Sequence, residues 1–247
     1  MSVGPHPTGE TKLKSVLVIG IYLTDKDNNT SQIVSELSSS HDWNVDQRWI
    51  GLGQKDTPSE LESVTCQHQT DMVPKFTLIN GILNQVALSD YEYLLICDDD
   101  IALPGQFLDD YLALVGQYHF AIAQPARTND SYIDHQFVGQ LHGIKARRTR
   151  FVEIGPVFSF HKNAFTAFLP FDEESPMGWG YDFVWPHLAD KNGLNMGIVD
   201  STPVTHKMRP PVANYSWAKA NSTQHEYLST RAHLTLESAC YILESYA

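Results

Sequence analysis

Tyr91-Glu92-Tyr93-Leu94-Leu95-Ile96-Cys97-Asp98-Asp99-Asp100-Ile101 is the stretch whose reading decides the fold. An apolar run rich in β-formers, too short for an ordinary helix, ends in three consecutive carboxylates, and Pro104-Gly105 follows. This pattern reads as a buried strand that carries acids to its C-terminal end. Three aspartates side by side repel one another unless something positive sits among them. A hard divalent cation is the natural partner, because carboxylate oxygens suit Mg²⁺ or Mn²⁺ and such an ion usually also holds the phosphates of a substrate. Side chains alternate along a strand, so Asp98 and Asp100 are expected on one side and Asp99 on the other. The bland alternative is a solvated turn of acids.

The flanking sequence places this strand in an α/β order. Upstream, Ser15-Val16-Leu17-Val18-Ile19-Gly20-Ile21-Tyr22 is a continuous apolar run suited to a central strand covered on both faces. Ser31 to Leu37 reads as a short helix, Asn44 to Leu52 as a second strand, and Gly53 to Met72 as a loop. Pro74-Lys75-Phe76 starts a helix in which Phe76, Ile79, Leu83 and Val86 recur near helical spacing. Downstream, a helix from Phe107 to Val115 precedes a strand from Phe120 to Pro125. Phe151 to Phe160 resumes strand character, with Gly155-Pro156 requiring a bend, and Met196 to Asp200 reads as a short edge strand. Ligands of such sheets bind beyond the carboxyl ends of the strands.

Composition narrows the function classes. A chain of 247 residues can bury a large core, and 42% hydrophobic with 19% charged residues excludes a disordered or collagen-like chain. The formal net charge of −12 argues against a protein that grips nucleic acid, since that needs a basic face. Three cysteines without a CxxC pair suit a reducing compartment better than a disulfide scaffold. No stretch approaches the roughly 20 apolar residues of a membrane-spanning helix. The expectation is a cytoplasmic protein that meets a membrane only through its acceptor or a partner. Residues 1–14 read as a flexible leader, 15–212 as one domain and 213–247 as a C-terminal helical extension.

Two further regions carry candidate chemistry. Between Ala126 and Arg150 the chain collects Arg127, His135, His142, Lys145, Arg147, Arg148 and Arg150, the only dense basic region in an acidic protein. It reads either as a solvated loop or as a phosphate-facing flap that orders when a donor binds. In the second reading Lys75, Arg127, Lys145, Arg147 and Arg148 are diphosphate contacts. Met177-Gly178-Trp179-Gly180-Tyr181-Asp182 sets two glycines around a tryptophan, letting the backbone turn tightly under a flat aromatic face suited to a sugar ring. Asp182, near a helix start, reads as a cap or as a general base. His206, just after a strand, is a candidate metal ligand.

Taken in order, Cys97-Asp98-Asp99-Asp100, Gly178-Trp179-Gly180-Tyr181-Asp182 and His206 resemble the site elements of GT-A-type glycosyltransferases. Further segments resemble a plant and bacterial domain family of unknown function regarded as glycosyltransferase-like: Gln124-Pro125-Ala126, His135-Gln136, Phe151 to Ser159, Trp179 to Phe183, Gly197 to Ser201 and Val204-Thr205-His206. The likeness spans Ser15 to Asn214.

The resemblance implies a single GT-A-like, Rossmann-like α/β domain with an open mixed sheet flanked by helices. It implies a transferase that moves a sugar from a nucleoside-diphosphate sugar, a UDP-sugar being favoured, to a hydroxyl of a glycan or lipid-linked glycan. Mn²⁺ or Mg²⁺ would be held by Asp98, Asp100 and His206. The donor would be contacted by Asp98, Asp99, Lys75, Arg127, Lys145, Arg147 and Arg148. The acceptor would be contacted by Gly155, Trp179, Gly180 and Tyr181, with Asp182 as base. Many GT-A enzymes carry a Glu-Asp pair where this chain has Tyr181-Asp182, so inversion is only slightly favoured over retention. A sugar nucleotidyltransferase is a rival reading, but its Gly-rich basic loop after the first strand is replaced here by Tyr22-Leu23-Thr24-Asp25. A non-catalytic glycan-binding domain is the third.

Overall fold

The computed structural model describes residues 13–209 and 217–247. Its first half supplies four strands, β1 (Lys14–Leu23), β2 (Trp43–Leu52), β3 (Thr65–Gln69) and β4 (Tyr93–Asp98). They lie parallel in the order β3-β2-β1-β4. Parallel neighbours need crossovers. Between β1 and β2 the chain forms α1 (Thr30–Ser38), and between β3 and β4 it forms α2 (Lys75–Leu83). The chain leaves β1 toward β2 on one side and later returns as β4 on the other. The crevice beyond the carboxyl ends of β1 and β4 is therefore a topological switch point.

The second half comprises α3 (Phe107–Gln117), β5 (Phe120–Arg127), β6 (Ala146–Thr149), β7 (Val157–His161), α4 (Lys162–Phe168) and α5 (Tyr181–Asn192). They are followed by β8 (Asn195–Val204), α6 (Trp217–Ser229), α7 (Leu236–Ala239) and β9 (Ile242–Tyr246). The complete sheet runs β3-β2-β1-β4-β7-β5-β8-β6-β9. β7 is antiparallel to both β4 and β5, β8 is parallel to β5, and β6 is antiparallel to β8 and β9. The result is the open mixed sheet with flanking helices that the sequence implied.

Alternation along the central strands builds a core on each face. Leu17, Ile19, Leu94 and Ile96 pack with Phe76 and Ile79 of α2, Phe165 of α4, and Tyr181 and Trp185 of α5. Val16, Val18, Leu95 and Cys97 pack with Ile33 and Leu37 of α1 and with Leu108, Tyr111 and Leu112 of α3. Gly20 in β1 meets a particular need, because a Cβ there would overlap the Trp49 indole.

Several expectations are corrected. Gly53 to Met72 is not all loop: β3 lies within it, a half-exposed strand of polar residues at the sheet edge, held by backbone pairing to β2 rather than by apolar packing. The strand expected at an edge, Met196 to Asp200, is part of the ten-residue β8, paired on both sides. The basic segment Ala126 to Arg150 includes the end of β5 and all of β6. The extension at 213–247 is not purely helical, since β9 closes the sheet against β6. Of the expected leader, residues 1–12 fall outside the described residues, as do 213–216 of the extension, while Lys14 already belongs to β1.

Candidate active site

β4 ends at Asp98, and Asp99 and Asp100 occupy the bend beyond it. Strict alternation stops with the strand, and the three acids fan apart. Asp98 bonds Lys75 Nζ at 2.6 Å. Lys75 opens α2 and also donates to Ile154 O at 3.3 Å, so the helix start is tied to the acid. Asp99 is buried and points back to β1, accepting from the Leu23 N–H at 2.7 Å. Its carbonyl accepts from the Asn29 N–H at 2.7 Å. Burial pushes the Asp99 carboxyl up to about 6 although the Arg209 guanidinium is bonded to it. Asp99, expected to touch a donor, thus ties the end of β1 to the end of β4.

Asp100 Oδ1 lies 3.2 Å from His206 Nε2, and Asp100 Oδ2 lies 3.5 Å from Arg209 Nε. Burial pushes the Asp100 carboxyl up, but His206 and Arg209 outweigh it and hold the group below its usual value. His206 reaches this position because β8 is pinned there. Thr205 pairs antiparallel with Ala102, just past the acids, and the His206 backbone N–H donates to Ser131 Oγ at 2.9 Å.

A second charged cluster stands alongside. Arg127, at the end of β5, is 2% exposed and bonds Glu153 Oε2 at 3.0 Å. It also donates to the Gly155 carbonyl and lies 3.5 Å from His206 Nδ1. Glu153 Oε1 accepts from His135 Nδ1 at 2.9 Å. That bond is the main reason the His135 imidazole is held above its ordinary value. Gly155 lies against Asp98, where a Cβ would stand 3.0 Å from the carboxylate. Arg127 therefore links His206 and Gly155, which adjoin Asp100 and Asp98, to the Glu153–His135 pair.

Asp182 enters from the first turn of α5. The turn before it needs glycine: Gly178 and Gly180 have φ of +85° and +94°, and a Cβ on Gly178 would strike the Phe76 ring. Asp182 is buried, and among the described residues its Oδ1 has no hydrogen-bond partner. Burial is the largest influence on its carboxyl, with His135 opposing and Glu153 adding to the upward shift, and the group is pushed up to about 7. A carboxylate with a free oxygen and a pKa near neutrality is suited to take a proton.

Three of the other expected site residues, Lys145, Arg147 and Arg148, lie elsewhere. Arg147 is buried, its guanidinium paired with Asp200 at 3.2 Å and bonded to the carbonyls of Phe137 and Gly139 at 2.8 and 2.6 Å. Arg148 pairs with Glu244 of β9 at 3.4 Å, and Lys145 reaches the Ala247 carbonyl at 3.2 Å. These three cations serve β8, β9 and the neighbouring loop, so the acidic cluster is built without them. Tyr181 is turned into the core, stacked on Phe171 and donating to the Asp172 carbonyl. Its ring borders a separate cavity of about 570 Å³ that none of Asp98, Asp100 and Asp182 lines. Trp179 is half-buried and its carbonyl accepts from Ser175 Oγ at 2.9 Å, while Gly180 packs under Tyr227. Sequence reading did not select Glu153, His135 or Arg209 as site residues. The one available signal was their company: His135 and Glu153 lie in segments that carry the family likeness, and Arg209 lies three residues past His206.

The fold has solved counterparts. It is similar to the crystal structure of GalNAc-T7 with UDP, GalNAc and Mn²⁺, with a TM-score of 0.56 at 9% identity over 85% of this chain. It is also similar to Staphylococcus aureus TarS 1–349 in complex with UDP-GlcNAc, with a TM-score of 0.52 at 14% identity over 87% of this chain. The fold is that of the GT-A glycosyltransferases. The chain spans 47% of the GalNAc-T7 chain and 71% of TarS 1–349. No protein-family model matches the sequence, and no curated protein does. No helix among the described residues is long and apolar enough to cross a membrane.

For a divalent cation, the chemistry of the donor set in this GT-A frame is suitable. Asp98, Asp100 and His206 offer carboxylate oxygen and imidazole nitrogen, which Mn²⁺ accepts, and Asp100 and His206 already converge. Among the described residues no three such donors surround one point. Lys75 and Arg209 neutralise the carboxylates instead.

Proposed function

We propose that the protein is a metal-dependent glycosyltransferase that moves a sugar from a nucleoside-diphosphate sugar, a UDP-sugar first, to a hydroxyl of a glycan or lipid-linked glycan. The observation that carries this reading is the meeting of Asp100, from the end of β4, with His206, from the end of β8, at the switch point of the sheet. The UDP, UDP-GlcNAc and Mn²⁺ bound in the structural relatives support the donor and the metal. Asp98, Asp100 and His206 would hold Mn²⁺ or Mg²⁺, which when bound offsets the charge of the departing diphosphate.

The protein's own groups account for the remainder. Lys75, paired with Asp98, and Arg127, bonded to the carbonyl of Gly155 next to it, contribute positive charge where the diphosphate leaves. The acceptor oxygen bonds to the anomeric carbon as the bond from that carbon to the phosphate oxygen breaks, and the hydroxyl proton passes to Asp182. Attack from the face opposite the leaving group inverts the sugar, and the near-neutral Asp182 supports that course over retention. A nucleotidyltransferase is disfavoured because the loop after β1 offers Thr24 and Asp25 where such enzymes present glycine and cations.

The experiment is incubation with a panel of nucleotide sugars, with Mn²⁺ and with EDTA, following nucleotide release and transfer to glycan acceptors. Metal-dependent turnover of one donor is expected. Binding of glycan with no turnover of any donor, with or without metal, would make this a glycan-binding domain that keeps the fold.

A further inference from the structure

Asp182 is a buried carboxylate with no ion pair of its own among the described residues. Its Oδ1 is buried with no hydrogen-bond partner among the described residues, at the start of a helix whose next residue, Phe183, packs against Phe151 with ring centroids 6.0 Å apart. His135 is wedged beside the same two rings, 4.9 Å from Phe151 and 6.3 Å from Phe183, each edge to face. The imidazole is thereby fixed against the first turn of α5. Its Nδ1 is anchored on Glu153 Oε1, and Glu153 is in turn fixed through Oε2 by Arg127. The chain Arg127–Glu153–His135 thus ends against Phe183, the residue next to Asp182.

We propose that His135, oriented by Glu153, is the positioning residue that holds Asp182 in its ionised, proton-accepting form. This rests on the reading of Asp182 as the base. Burial alone would leave Asp182 protonated and useless as a base over the neutral range. An imidazolium beside it favours the carboxylate, and Glu153 favours the imidazolium. Glu153 also repels Asp182 directly, so the arrangement works only because Arg127 shares the Glu153 charge. Among the described residues the other ionisable groups facing this cluster are Asp134, which favours a charged His135, the Cys240 thiol, which Glu153 and Asp182 push up, and Asp98, Asp100 and His206, which it meets through Arg127.

Coupling between two titrating groups is reciprocal, which gives a test in both directions. Isotope-edited infrared or carbon NMR titration of the aspartate carboxyls, with the Asp182 signal assigned by its loss in Asp182→Asn, reads the carboxyl directly. His135→Gln is expected to raise the Asp182 midpoint by about one pH unit or more, and His135→Lys to return it toward the original value. Nitrogen NMR of the imidazoles supplies the reverse arm and does not depend on whether the His135 variants fold: in Asp182→Asn the His135 midpoint should fall. An Asp182 midpoint unchanged in folded His135→Gln, or a His135 midpoint unchanged in Asp182→Asn, would overturn the proposal. Transfer rates separate it from the reading it rests on. If the acid limb of the kcat/KM profile moves with the midpoint, both stand. If the midpoints move and turnover keeps its profile, the coupling stands and Asp182 is not the base.

Discussion

Replacing Asp182 by asparagine tests the burial argument without any knowledge of the substrate. The carboxyl is held at about 7 against 3.8 for the free group, with burial as the first cause. The folded-state value is raised, so folding favours the protonated form. The stability associated with that proton is fully present below pH 3.8 and is lost as the pH rises through about 7. Ionising the carboxylate above that range then costs the native state on the order of 4 kcal/mol, since each pH unit of displacement is worth about 1.4 kcal/mol. Asparagine matches the shape and never ionises. The difference in melting temperature between Asp182→Asn and the native protein should therefore grow between pH 4 and pH 8, by roughly 2–4 °C for each kcal/mol. Comparing the pair at each pH removes the cost of the buried amide itself, which is constant. Thermal unfolding by circular dichroism in matched buffers suffices. A difference that stays flat across that range would show an ordinary, solvated carboxylate and would refute the account of Asp182 as a desolvated base.

Further outcomes are expected at other positions. Asp182→Asn should keep donor affinity while transfer falls about 10²-fold or more, measured by calorimetry and a turnover assay. Asp100→Ala should abolish metal-dependent nucleotide binding and transfer while the far-ultraviolet spectrum is kept, because Arg209 retains Asp99 as a partner; near-normal turnover would defeat the proposed metal site. Lys75→Ala should weaken nucleoside-diphosphate binding about tenfold, the worth of one charge-assisted contact. Arg147→Ala should destabilise the protein by about 3–5 kcal/mol by stranding the buried Asp200, and leave the donor affinity of the folded fraction unchanged.

The parts of the fold that could be read in the sequence are those where apolar burial dictates structure. β1 and β4 are apolar on both faces, and their alternating residues build two cores, so they stand out in any window. β3 could not be read because Thr65-Cys66-Gln67-His68-Gln69 owes its strand state to backbone pairing with β2. β6 was hidden because Arg147 is buried by ion pairing, and an arginine-rich run looks like a solvated loop until Asp200 is placed beside it. At the candidate site, Asp98, Asp100, Asp182 and His206 stand out as candidates by residue type and order. Glu153 and His135 were not selected, because their importance arises from contacts across 18 positions that no local pattern encodes.

The pairing of β9 with β6 also bears on how the protein is made. β6 ends at Thr149, and its outer partner begins only at Ile242. On a ribosome adding about 5–20 residues each second, the intervening chain takes on the order of 10 s to appear. Once β8, complete at Val204, has paired with it, β6 is the margin of the unfinished sheet for the remainder of that interval, exposing backbone groups that another chain can pair with. The Ala146-Arg147-Arg148-Thr149 sequence meets this hazard with charge, because two adjacent arginines discourage a like strand from docking. Charge in this run therefore opposes edge-to-edge docking while the sheet is unfinished and supplies ion pairs once it is complete.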